Sequence, residues 1–194
     1  MNLPDTRNGK QEAVDAHERG KDYLTEAEVS RLLAAARAQR NGLRNHLIVL
    51  MMYRHGLRVS EATLMRRDAV DLDRARLWVK RVKKSLSLEH PMLGDELRAI
   101  KRYLATREDR LPWLFVERGQ SLTRQGVGYI VRTAAAAAGL EGVHPHTLRH
   151  SCGYYMADKG TDLRTMQDYL GHRDPKHTAH YTRIAGSRFE GLWK

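Results

Sequence analysis

The stretch that decides the fold reads His144-Pro-His-Thr-Leu-Arg-His150, followed by Leu170-Gly-His172 and then by Tyr181. Proline lacks the amide hydrogen that a helix interior needs but suits the first turn, so a helix is predicted to begin at Pro145. On that helix His146, Arg149 and His150 fall three and four residues apart and share one face. A second helix is predicted from about Asp162 to Leu170, with Leu163, Met166 and Leu170 on its buried stripe and Gly171 as terminator. His172 then lies just past a helix end, where a rigid support can aim it at a ligand. Taken as chemistry, the stretch holds a phosphate-binding cation, proton-transfer groups and, in Tyr181, a candidate oxygen nucleophile.

Working outward, Thr25-Glu-Ala-Glu28 has the pattern of a capping box and predicts a helix to about Gln39. A second helix from Leu43 to Tyr53, with Leu47, Leu50 and Met51 at helical spacing, ends near Gly56 and reads as core without chemistry. Arg58 follows, just ahead of a short helix opening at Ser60-Glu-Ala62, where an arginine can join backbone donors in gripping an anion. Residues 72–92 read as a small antiparallel sheet: a strand over Leu77–Val82, a turn at Lys83-Lys-Ser85, and a return over Leu86–Pro91. An amphipathic helix from about Asp95 to Glu108 carries Leu97, Ile100 and Leu104. The apolar patch Trp113-Leu-Phe-Val116 is expected in the core, and Ser121-Leu-Thr-Arg124 opens a helix ending at Gly139. Residues 1–22 are polar, without apolar period, and read as a flexible leader to a domain spanning 23–194. Past Tyr181, Phe189, Leu192 and Trp193 form an apolar stripe that packs either at home or on a neighbour.

Composition narrows the function classes. A chain of 194 residues with 41% apolar residues suits one domain with a core. Lysine and arginine number 34 against 23 acidic residues, a net charge of +11. That excess favours a polyanionic partner, although a solvated basic surface has the same composition. The single cysteine, Cys152, excludes an intrachain disulfide, fits a reducing cytoplasm and is expected to be buried packing. No secretory segment or membrane-length apolar span is present, the run at 47–52 being too short. His146 and His150 could pair on zinc, but the glutamate of His-Glu-x-x-His and any cysteine cluster are missing. Neither a metal nor another cofactor is expected.

Arg58 within Gly56-Leu-Arg-Val-Ser-Glu61, the His146-x-x-Arg149 pair, His172 and Tyr181 together resemble the tyrosine recombinases, or phage integrases. Within that superfamily, the segments 144–153 and Gln167-Asp-Tyr-Leu-Gly-His-Arg173 are similar to the small fimbrial phase-switch recombinases, which invert a promoter-bearing DNA segment. The likeness runs from about Tyr23 to the C-terminus. It implies an α+β fold, mainly α-helical: the tyrosine recombinase catalytic domain with a small antiparallel β-sheet. It also implies metal- and ATP-independent strand exchange through a 3′-phosphotyrosyl link. Tyr181 would be the nucleophile, Arg58 and Arg149 the phosphate ligands, His172 a further donor, and His146 the base. A lysine on the hairpin turn would protonate the leaving oxygen; counting back from Pro91 favours Lys83 over Lys84. Glu61 and His150 would support the site, and Lys84, Arg124 and Arg132 would contact DNA.

The implied partners are double-stranded DNA with inverted-repeat sites and further copies of the chain, as a tetramer on DNA. The implied location is the cytoplasm, at the nucleoid, and the outcome DNA inversion (phase variation) or integration and excision. Two departures stand out. The hairpin turn lacks the family's usual glycine, and 22 polar residues cannot form the N-terminal helical core-binding domain that most members carry. Two rivals are a type IB-like topoisomerase and a catalytically silent DNA-binding regulator. The regulator would be marked by loss of a reactive residue, yet all six positions are filled.

Overall fold

The computed structural model describes residues 22–82 and 85–184. Residues 1–21 of the leader, Lys83, Lys84 and the stripe of Phe189, Leu192 and Trp193 lie outside the described residues. Helix α1 (Glu26–Ala38) starts as its sequence dictates: the Thr25 hydroxyl accepts from the Glu28 amide while the Glu28 carboxylate accepts from the Thr25 amide. Helix α2 (Gly42–Arg54) packs along it, and a short α3 (Val59–Thr63) follows. Strands β1 (Val70–Asp71), β2 (Arg76–Val79) and β3 (Leu88–Pro91) form an antiparallel sheet in the order β1-β2-β3. Helix α4 is Gly94–Leu104, and a small hairpin of β4 (Val116–Glu117) and β5 (Gln120–Ser121) precedes α5 (Arg124–Ala137). The chain continues through α6 (Pro145–Asp158), α7 (Leu163–Leu170) and α8 (Lys176–Ile184).

Two apolar clusters hold these elements. The larger is built on Leu32, Leu47, Ile48, Met51, Leu77, Ile100, Phe115 and Val131, so that α1, α2, α4 and α5 close over β2. Each such side chain removed from water contributes roughly 1.5–3 kcal/mol. The smaller consists of Cys152, Tyr154, Ala157, Met166, Leu170 and Tyr181, under α6, α7 and α8. Helix α6 joins them, with Leu148 in the first cluster and Cys152 in the second.

Several boundaries differ from expectation. The sheet begins at Val70 and β2 leaves the ladder after Val79, short of Val82. Helix α4 stops at Leu104, where the Thr106 hydroxyl donates to the Tyr103 carbonyl and Arg107 turns back to the Trp113 and Leu114 carbonyls. The β4–β5 hairpin was not predicted; it turns on Arg118 and Gly119, both at positive φ, the geometry of a type I′ turn. Leu163 is 38% exposed rather than on the buried stripe of α7, whereas Met166 and Leu170 are fully buried. Gly171 ends α7 at φ 67°, a conformation that costs glycine nothing.

Candidate active site

The arginines are set by loops that the core fixes. Arg58 stands at the N-terminal boundary of α3, where its amide donates to Glu61 Oε2 (2.9 Å) and its Nη1 to Glu61 Oε1 (2.8 Å). The amide at this helix start is thus taken by the chain's own carboxylate, which leaves anion binding to the half-buried guanidinium. Burial pushes the Glu61 carboxyl up, but the Arg81 charge and the bonds from Arg58 and Arg81 outweigh it and hold it below the usual carboxylate range. Arg149, on α6, is fully buried; it donates to the carbonyls of Gly56 and of Leu170, the latter at 2.7 Å. Burial, then the Arg58 and Arg81 charges, brings its pKa down to about 10, still charged at neutral pH.

The tyrosine side is built differently. Tyr181, on α8, is 3% exposed, and its hydroxyl meets His150 Nδ1 at 3.2 Å. Its ring lies nearly parallel to that of His172 (6.3 Å, 15°) and edge-on to Tyr154 (5.3 Å). Gly153 makes room for it: a Cβ there would come within 2.7 Å of the Tyr181 ring. Burial pushes the phenol up to about 12, with the Arg149 charge pulling partly the other way. His172 Nδ1 pairs with the buried Thr178 hydroxyl at 2.9 Å. With that hydroxyl donating, Nε2 carries the ring proton and is left as a donor. Burial, then Arg149 and Arg58, lowers His172 to about 3.

His146 meets His150 edge to face (4.4 Å between ring centres), and burial, then the His150 and Arg149 charges, lowers it to about 4. His146 is expected to be the base, and the imidazole within hydrogen-bond distance of the Tyr181 hydroxyl is that of His150. Helical phase alone does not separate two histidines four residues apart on one face. Arg124 and Arg132 are exposed on α5, and with Arg58, Val82, His144 and His146 they line an open groove of about 730 Å³. Among the described residues no three His, Cys, Asp or Glu side chains converge as a metal-binding group.

Sequence reasoning missed Arg81 and the end of α2. Arg81 is buried against Glu61, Gly56, His55 and Tyr169. Helix α2, read as plain core, ends in a buried polar network in which His55 Nε2 pairs with Glu96 Oε1 (2.6 Å) and His55 Nδ1 with His90 Nδ1 (3.2 Å). The available signal was strand alternation: Leu77, Val79 and Arg81 point inward while Trp78 and Lys80 point out.

The structure thus brings a phenol, guanidinium groups and neutral histidines together on this helical fold. The phage integrase family model matches residues 22–188, and the chain belongs to that family, the tyrosine recombinases: it is an enzyme of site-specific recombination. Among its relatives, type 1 fimbriae regulatory protein FimB of Escherichia coli K12 is 39% identical over 184 residues, 92% of either chain. FimE of the same strain is 40% identical over 179 residues, 89% of this chain and 90% of the relative. The crystal structure of XerA recombinase superposes with a TM-score of 0.76 at 27% identity, covering 88% of this chain and 63% of that one. The fold is also that of the bacteriophage HP1 integrase catalytic domain, with a TM-score of 0.68 at 22% identity over 87% of this chain and 90% of that one.

Proposed function

We propose that this recombinase cleaves duplex DNA by attack of Tyr181 on a phosphodiester seated at Arg58, Arg149 and His172. The observation that carries the reading is the convergence of α3, α6, the α7–α8 turn and α8 on one point. There the phenol feels the charges of Arg149 and Arg58 and its ring lies along His172. The Tyr181 oxygen bonds to phosphorus while the bond to the 5′ oxygen breaks, leaving a 3′-phosphotyrosyl link. The phenolic proton passes to His150, backed by His146. Both histidines have lowered pKa values and are neutral acceptors at physiological pH. A bound phosphate raises their basicity through its negative charge. The arginines and His172 stabilise the charge that grows on the nonbridging oxygens, and Lys83 protonates the leaving oxygen, with Lys84 holding the DNA backbone. Because the phosphotyrosyl link stores the bond energy, rejoining to another strand needs no ATP.

The groove lined by Arg58, Arg124 and Arg132 would track the duplex backbone. DNA-bound relatives of the same fold, such as XerH on its difH substrate (TM-score 0.74, 22% identity), support that assignment. Likeness to FimB and FimE favours DNA inversion, and the proposal extends it to a tetramer acting between inverted repeats. Nothing in the reaction requires a metal. Wild-type protein with a nicked suicide duplex should give an SDS-resistant adduct in EDTA as well as without it, and Tyr181→Phe should give none. A normal adduct yield in the variant would sink the assignment. Adduct with relaxation but no recombinant product would instead mark a topoisomerase.

A further inference from the structure

Arg81 is charged, inward-facing and part of neither the strand ladder nor the groove wall. Its guanidinium donates to Glu61 Oε2 (2.8 Å), to the Gly56 carbonyl (3.3 Å), to the His55 carbonyl (3.0 Å) and to the Tyr169 carbonyl. Its side chain is 1% exposed, and so is that of Glu61. Burying a guanidinium costs several kcal/mol unless its donors are satisfied, so four acceptors at one residue are a strong organising demand. Glu61 lies on α3, and the three carbonyls belong to the loop after α2 and to the last turn of α7. His55 and Gly56 lead into Arg58, whereas Tyr169 stands just before the Leu170-Gly171 turn into His172. Arg149 grips the same loop and the same helix end, at the Gly56 and Leu170 carbonyls. The Arg81 stem also fills the space beneath the turn: a Cβ on Gly171 would come within 3.0 Å of Arg81 Cγ.

Through Glu61, Arg81 also fixes the guanidinium of Arg58, since Glu61 offers one oxygen to each arginine. Two guanidinium groups therefore share one carboxylate, whose charge also reaches Arg149, an arrangement short of negative charge until an anion arrives. Along the chain, Arg81 lies two residues before Lys83. Its own amide is tied to the Ser87 hydroxyl across the base of that turn (3.0 Å).

We propose that Arg81 is a positioning residue for strand cleavage: it locks Arg58, Arg149 and the His172 turn into one arrangement and ties that arrangement to the lysine-bearing hairpin. This rests on the tyrosine-nucleophile reading above. The test is single-turnover cleavage of a nicked suicide duplex by Arg81→Met, beside half-site binding on native gels and thermal melting. Cleavage should fall ~10²-fold, as for loss of one preorganised donor, with half-site binding nearly unchanged.

A purely structural role is separated by chemistry. In a methylphosphonate duplex one nonbridging charge at the scissile position is gone, so cation placement matters less. The deficit of Arg81→Met relative to wild type should shrink at least ~10-fold on that substrate, as should that of Arg58→Ala. An equal deficit on both substrates, or wild-type cleavage of normal DNA, overturns the proposal. If Arg81→Met does not fold, Arg81→Lys carries the test. It keeps the charge without the planar fork, so it should show a smaller defect with the same rescue; a wild-type rate, or a defect without rescue, overturns the proposal. An adduct from Tyr181→Phe would sink the nucleophile reading itself. No adduct there, together with a fully active Arg81 variant, would sink the positioning role alone.

Discussion

The arginine corner and the tyrosine corner of this site are held by different forces. Arg149 and Arg81 are buried and hydrogen-bonded to carbonyls of the loop after α2 and of the end of α7, and the main core stands behind them. Tyr181 rests on a cluster of six buried residues, itself included, and its hydroxyl makes one hydrogen bond of 3.2 Å. The groups that stabilise charge are thus fixed before substrate arrives, which is what electrostatic preorganisation requires. The proposed nucleophile is held by dispersion and one neutral pairing, with its proton kept on by burial.

Removing an anchor from the first corner should have the largest effect. Arg149→Ala should slow single-turnover cleavage by ~10³-fold. It should also lower stability by a few kcal/mol, because the Leu170 carbonyl loses its buried donor and the Gly56 carbonyl keeps only Arg81. Near-normal cleavage by a folded Arg149→Ala protein would end the idea that the arginine corner is the preorganised half.

A smaller effect should follow at the tyrosine corner from Gly153→Ala, since the added methyl meets the Tyr181 ring at 2.7 Å. The ring must shift by a few tenths of an ångström or more, which should cost roughly 10–100-fold in cleavage. Half-site binding and the melting temperature should stay close to wild type. Unchanged cleavage would mean that the ring's resting position is irrelevant to attack.

Acid should act on both corners and most gently. Burial lowers His90, beside Arg81, to about 2 and His172, beside Tyr181, to about 3, against about 6.5 in an unfolded chain. Between those values the unfolded state binds more protons, so stability is complete above pH ~6.5 and is lost as pH falls towards the folded values. The melting temperature should drop by several degrees between pH 7 and pH 5, and His172→Gln should flatten that slope. A melting temperature independent of pH across this range would contradict the neutral, buried state of these histidines.

How much was legible beforehand follows the range of the interactions. The capping box of Thr25 and Glu28, the start at Pro145 and the stop at Gly171 are local, involving residues within one turn, and all three stand where expected. Leu163 failed because it occupies the first turn of a short helix, where the apolar stripe runs off the packed surface. Arg81 was half legible: alternation in β2 gave its direction, but nothing nearby in sequence named Glu61, Gly56 or Tyr169 as its acceptors.

The sequence by itself determined the family, the helical start of the His146–Arg149 face, and Tyr181 as the candidate nucleophile, because those depend on residue type and short spacing. Only the tertiary structure decided that Tyr181 meets His150 rather than His146, and that Arg81 joins the loops leading into Arg58 and His172. Those pairings link residues 25 to 88 positions apart. A hydrogen bond is set by ångström-scale distance between atoms, and that distance exists only once the whole core has closed.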